Sequence, residues 1–298
     1  MNDKLKGLRR ESGKWHDIFP IAVIWAVMLC WAVFIIGCTP LETAVVNLFS
    51  LSEKTAESLQ FYFSFIKVWI ILIPIFLIRY NRPMLSQLAL TKGGNTILGA
   101  FIGFLLGFGI NGACIFFAVL MGDIKLKFSG LDPLLLLLFF VVILIQSGAE
   151  EIIDRLYLYQ KLRRRYKLPI IAIIGSTIAF VGNHLFATGF SIIPAVELAV
   201  SGILLSLFVY YYDCFWAAIM FHTAWNYSQS IIFGLPNSGE VSSYSIITMD
   251  LPTARNGLFY DSVFGVEGSI GAVLILVIVI AIVVWINRSK GEKKDLWG

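Results

Sequence analysis

The segment PLLLLLFFVVILIQSGAEEIIDRLYLYQ, Pro133 to Gln160, opens as an apolar run suited to lipid and then places Gln146, Glu150, Glu151, Asp154 and Arg155 within the same run. A spanning helix needs about 20 predominantly apolar residues. Each ionisable group inside such a helix costs roughly 2.5–3.5 kcal/mol on insertion scales, so these charges require partners or a function. The segment therefore predicts both a membrane helix and a site upon it.

Outward from this run, seven further apolar windows fall near 18–38, 61–79, 96–121, 168–187, 191–212, 214–234 and 270–287. Across the 298 residues, 58% are hydrophobic and only 14% charged, against about 25% charged in soluble proteins. Too little polar surface remains to solvate a globule of this size. The expected fold is all-α, a polytopic transmembrane bundle of about eight spanning helices. The first window is long enough to span and has no small-residue cleavage site after it, so it reads as an uncleaved helix. Cys30, Cys38, Cys114 and Cys214 lie singly in apolar stretches, the pattern of small packing residues and not of a disulfide scaffold.

Lys and Arg mark the cytoplasmic ends of membrane helices. If the windows alternate across the bilayer, one side collects 17 of the 23 basic residues, including Lys4, Lys6, Arg9, Arg10 and Lys14 before the first helix and Lys161 to Lys167 after the fourth. That side is expected to be the cytoplasm and to hold both termini. The chain then divides into a basic leader (1–17), three helices (18–130), a core of helices four to seven (131–235), an outer loop (236–269), and a last helix with a basic tail (270–298). The outer connection reads as a lid or a simple loop. Gly99, Gly103 and Gly107, at four-residue spacing, predict close helix packing.

Two more polar segments match the first. Phe180 and His184 stand at i, i+4, and so do His222 and Asn226; Glu151 and Arg155 have the same spacing and predict an ion pair. Glu150 projects about 100° from Glu151, towards Gln146 and Asp154. The remaining histidine, His16, lies in the leader and is expected to be solvated. Rises of 1.5 Å per residue put Glu150 about 15 Å, His184 about 22 Å and His222 about 12 Å from the near helix ends, depths at which they can meet. Each residue alone would be ordinary helix-to-helix bonding; together they predict a site.

In order along the chain, Glu150-Glu151-x-x-x-Arg155, Phe180-x-x-x-His184 and His222-x-x-x-Asn226 resemble the three motifs of the CAAX-protease and bacteriocin-processing membrane family. The resemblance covers roughly residues 131–235 and implies an intramembrane endopeptidase acting on a peptide or membrane-protein substrate in the lipid bilayer. Relatives place such proteins in bacterial cell membranes, and nothing points to nucleic acid. On this reading Glu150 is the general base for a water, since a carboxylate away from bulk water more readily takes a proton. Glu151, held by Arg155, is its structural partner. His184 orients the water or protonates the leaving amine, and His222 and Asn226 are neutral donors to the oxyanion. Phe180 and Ser147 are packing and helix positions.

Glu150, His184 and His222 are also acceptable ligands for zinc or another divalent metal with a place left for water. The chain lacks the His-Glu-x-x-His arrangement, so a water activated by glutamate without a tightly bound metal is preferred. Two other classes share these features. One is a non-catalytic peptide-binding or bacteriocin-immunity protein; the other is a proton-coupled transporter, against which the chain shows neither repeated halves nor broken helices.

Overall fold

The computed structural model describes residues 7–18, 24, 42–91, 94–289 and 296–297. Its helices are α1 (Glu53–Ser64), α2 (Ile66–Leu77), α3 (Ile97–Leu120), α4 (Pro133–Glu151), α5 (Tyr159–Arg165), α6 (Pro169–Asn183), α7 (Ile192–Tyr212), α8 (Phe215–Tyr227) and α9 (Ile270–Asn287). Among the described residues, five stretches are long and apolar enough to cross a membrane: α1 with α2, α3, α4 through α5, α7, and α9. The chain is thus an all-α integral membrane protein. The expected span at 18–38 lies outside the described residues, except for 18 and 24.

Helix starts follow local chemistry. Asp132 caps α4 by accepting from the Leu134 and Leu135 amides at 2.9 and 3.1 Å, ahead of Pro133 at the first helical position. Ser52 caps α1, so the second span begins at Glu53 and not near residue 61. Its first turns are polar, which hid them from an apolar window. The fourth span continues to Arg165 instead of ending near Gln160, through a π-helical segment at Ile152–Leu158 that joins α4 to α5. Glu150 is then 15 residues from the helix end, about 22 Å of rise, which removes its offset in depth from His184.

Helix α7 is the most enclosed span, with 56% of its apolar window buried, whereas only 22% of the α9 window is. Leu274, Ile278 and Ile282 of α9 and Leu98, Phe101 and Leu105 of α3 face outward, as lipid-facing positions should. Helices α3 and α8 pack face to face through the three-glycine row. A Cβ on Gly99 would lie 2.6 Å from Cys214 Sγ, one on Gly103 2.8 Å from Ala217 Cα, and one on Gly107 2.9 Å from the Phe221 carbonyl carbon. Only glycine allows this approach, which sets α8 and its His222 at the right distance. Cys114 and Cys214 are buried free thiols.

Against an otherwise helical fold stands one small antiparallel ribbon, β1 (Leu126–Phe128) with β2 (Ile247–Met249), in the register Leu126↔Met249 and Phe128↔Ile247. It stitches the outer loop to the connection before α4. At the other end, the leader packs on α5. Asp17 is fully buried and bonded to Arg164, and its carboxylate is 3.3 Å from Lys161. Burial pushes the Asp17 carboxyl up, but the Arg164 and Lys14 hydrogen bonds and the nearby cations outweigh it and hold it below the usual carboxylate range. His16 is therefore not simply solvated: its Nδ1 lies 2.8 Å from Lys161 Nζ, and its ring lies against Tyr80 at 5.5 Å.

Gly107→Leu should force α3 off α8 and destabilise the protein by about 1–3 kcal/mol, the usual range for overpacking. Thermal unfolding in detergent, beside a Gly109→Leu control whose Cβ meets nothing within 4 Å, measures it.

Candidate active site

Four helices bring their polar residues together around a cavity of about 350 Å³. The π-helical winding after Glu151 starts where the site does. Such segments form where a helix accommodates an extra residue, often at functional positions. Despite this winding, Arg155 Nη1 reaches Glu151 Oε1 at 3.1 Å, so the expected ion pair is present. Both side chains are fully buried. Arg155 also donates from Nη2 to the Gly202 carbonyl of α7 at 3.2 Å and lies 4.4 Å over the Phe180 ring of α6. A Cβ at Gly202 would come 3.3 Å from that nitrogen, so glycine keeps the guanidinium's place open.

Glu150 turns the other way, into the cavity, and Gln146 one turn earlier donates to its Oε1. Asp154 leaves this face: it accepts from Asn183 of α6 at 3.3 Å and lies 3.9 Å from Arg155. Helix α6 ends at Asn183, shorter than the 168–187 window, and His184 forms its C-cap. The end of a helix leaves carbonyls without partners. His184 Nδ1 meets one of them, the Phe180 oxygen, at 2.9 Å. His222 Nδ1 lies 2.9 Å from Glu151 Oε1.

These partners decide the tautomers. A carbonyl and a carboxylate only accept, so each histidine carries its hydrogen on Nδ1, and the neutral ring offers a lone pair at Nε2. Both lone pairs aim at Glu150 Oε2, from 4.0 Å for His184 and 3.9 Å for His222, and that oxygen is buried without a hydrogen-bond partner. Three acceptors thus converge, with no donor among them. With Nδ1 turned to Glu151, a neutral His222 carries no hydrogen on Nε2. Asn226 commits its amide hydrogens to Gln146 Oε1 at 3.1 Å and, more weakly, to Ser147 Oγ at 3.4 Å. Ser147 also donates to Gln146 at 3.2 Å.

The converging trio is wider than a metal cage. Ligands of one tetrahedral zinc at 2.0–2.1 Å lie about 3.3 Å from one another, and among the described residues no group of three or more His, Cys, Asp or Glu has a metal-holding arrangement. The side chains as placed do not fit such an ion.

Sequence reasoning missed the contribution of the outer loop and of α7. Asn237, Ser238 and Glu267 from the loop and Glu197 from α7 line the cavity with the motif residues. Glu267 accepts from Trp225 Nε1 and Asn237 Nδ2, both at 2.9 Å, and from the Ser238 amide at 2.8 Å. Glu197 was legible as a lone acid in an apolar run; the others sit in a segment without periodicity.

Fold and site together define a polytopic membrane protein with a buried glutamate-histidine-asparagine centre where α4, α6, α7 and α8 meet. Residues 132–228, a third of the chain, match the family model described as Rce1-like, type II CAAX prenyl endopeptidase Rce1-like. That stretch holds all three motifs, so the resemblance to the CAAX-protease family holds over it. No curated protein and no solved structure matches the chain.

Arg155→Ala should leave Glu151 buried and unpaired and cost about 3–5 kcal/mol. Arg155→Lys should recover only part of this, because it loses the fork that reaches Glu151 and Gly202 together. Denaturant or thermal unfolding of the two variants measures the difference.

Proposed function

We propose that this protein is an intramembrane endopeptidase that hydrolyses a peptide bond with a water activated by Glu150. The observation that carries the reading is the convergence of His184 Nε2 and His222 Nε2 on Glu150 Oε2, in a cavity within the bundle. A water at that point donates to two of these acceptors and keeps its oxygen lone pairs free for attack. The match of residues 132–228 to a CAAX-endopeptidase family supports the same chemistry.

In the proposed reaction, Glu150 Oε2 takes one proton as the water oxygen bonds to the carbonyl carbon, and the carbonyl oxygen becomes an oxyanion. His222, after binding a proton from solvent at Nε2, donates that hydrogen to the oxyanion and keeps it when the carbonyl re-forms, while Glu151 accepts from Nδ1, the arrangement by which a carboxylate orients an imidazole in hydrolases. Asn226 adds a donor by giving up its weak 3.4 Å contact with Ser147. The proton held by Glu150 then passes to the amide nitrogen, directly or through His184, as the carbon–nitrogen bond breaks. Arg155 keeps Glu151 in place. The basic asymmetry of the sequence supports cytoplasmic termini.

Detergent-purified protein should cleave members of a membrane-peptide library. Glu150→Gln and His184→Ala, kept folded, should each lower the rate by about 10²–10⁴-fold, the range for general acid–base groups. Peptide binding without cleavage by the parent would replace this reading with a binding or immunity role. Cleavage should also survive exhaustive treatment with EDTA and 1,10-phenanthroline; loss on chelation and recovery with zinc would overturn the metal-free form of the mechanism.

A further inference from the structure

The cavity residues include a row of side-chain amides that the three motifs do not account for. Asn237 Nδ2 donates to Asn226 Oδ1 at 3.2 Å, Asn226 Nδ2 donates to Gln146 Oε1 at 3.1 Å, and Gln146 Nε2 donates to Glu150 Oε1. An amide can present either its nitrogen or its oxygen to a neighbour, so such a row has two directions. Here its outer end removes the choice.

Trp225 Nε1 is a donor only, and it fixes Glu267 Oε1 as an acceptor at 2.9 Å. The Ser238 amide and hydroxyl hold the other oxygen at 2.8 and 3.0 Å. Asn237 must therefore turn its nitrogen to Glu267, and that nitrogen's second hydrogen goes to Asn226. Asn226 must then present nitrogen to Gln146, and Gln146 must present nitrogen to Glu150. Reversing any one amide sets donor against donor or acceptor against acceptor on both sides of it. The row ends on Glu150 Oε1, which accepts from Gln146, so both ends agree.

The row also divides the two oxygens of Glu150. Oε1 is held by Gln146, whereas Oε2 has no hydrogen-bond partner and faces the two histidines. The outer loop is seated beside the row. Gln229 Nε2 donates to the Pro236 carbonyl at 2.6 Å, and the Leu235 amide donates to the Gln229 carbonyl at 2.9 Å. Asn111 of α3 in turn donates to Gln229 Oε1 at 2.8 Å. Asn237 is buried in this seat, although it belongs to a surface connection.

We propose that Asn237 is a positioning residue: through Asn226 and Gln146 it sets the rotamer of the Glu150 carboxylate, so that the seating of the 235–269 loop decides whether Oε2 faces the histidines. The proposal rests on the peptidase reading for its functional meaning, but the ordered row itself is independent of that reading. A substrate segment that enters beneath the loop and lifts Asn237 would break the row at its first member.

The test uses Asn237→Ala, Asn237→Asp, Gln146→Ala and the double Asn237→Ala/Gln146→Ala variant in the full chain, each checked for unchanged elution and melting in detergent. With a cleaved peptide, the single variants should lose kcat by about tenfold to a hundredfold, the scale of a misplaced reacting group, with little change in KM. The double variant should lose no more than Gln146→Ala alone, because both act through one row. Unchanged kcat in Asn237→Ala, or losses that multiply in the double variant, would overturn the proposal.

A second readout needs no turnover. The membrane-soluble carbodiimide DCCD labels poorly solvated carboxyl groups, and labelling of Glu150 is mapped by mass spectrometry. Labelling should be severalfold faster in Asn237→Ala and Gln146→Ala than in the parent. Equal labelling in all three overturns the row as a positioning device, whatever the activity. Faster labelling in the two variants, with a parent chain that cleaves nothing, overturns the peptidase reading and leaves the positioning row standing.

Discussion

The site depends on one buried cation. Arg155 pairs with Glu151 on its own helix, donates to Gly202 of α7 and lies on Phe180 of α6, while Glu151 holds His222 of α8. Four elements are thus tied through a single guanidinium that has no access to solvent. Away from water the ion pair has a high desolvation cost, and it persists because planar geometry lets one group satisfy several partners. Removing the arginine would leave a bare carboxylate under the histidine.

That arrangement separates two adjacent glutamates by role. Glu151 is neutralised by Arg155 and used to orient an imidazole. Glu150, 100° further around the helix by ideal geometry, meets no cation at bonding distance and keeps one oxygen free beside two imidazole nitrogens. The glycine row of α3 and the early end of α6 serve the same site. One lets α8 come close enough to present His222; the other frees the Phe180 carbonyl that orients His184. Packing and chemistry are therefore set by the same few backbone features.

Much of this was readable from residues alone. Apolar run lengths gave the membrane bundle because lipid admits few alternatives to helices for a spanning chain. The Glu151–Arg155 pair followed from i, i+4 spacing, and close packing by α3 from Gly99, Gly103 and Gly107, although only the structure shows α8 as the partner. Boundaries were harder to read. The polar first turns of α1 and the basic end of α5 lie beyond any apolar window, since helix caps and tertiary partners such as Asp17 hold them.

The sequence by itself determined which polar groups enter the membrane region, because each must be inserted at a cost that only a partner or a function offsets. It also determined that Glu151 shares a helix face with Arg155, and Glu150 with Gln146, but not that Asp154 leaves the Glu150 face for Asn183. Only the tertiary structure decided the tautomers of His184 and His222, the engagement of Asn226 with Gln146, and the entry of Asn237 and Glu267 from the outer loop. The physical reason is that a hydrogen bond has a direction and a partner. Spacing along a helix fixes neither when the partner arrives from another helix or from a loop with no period of its own.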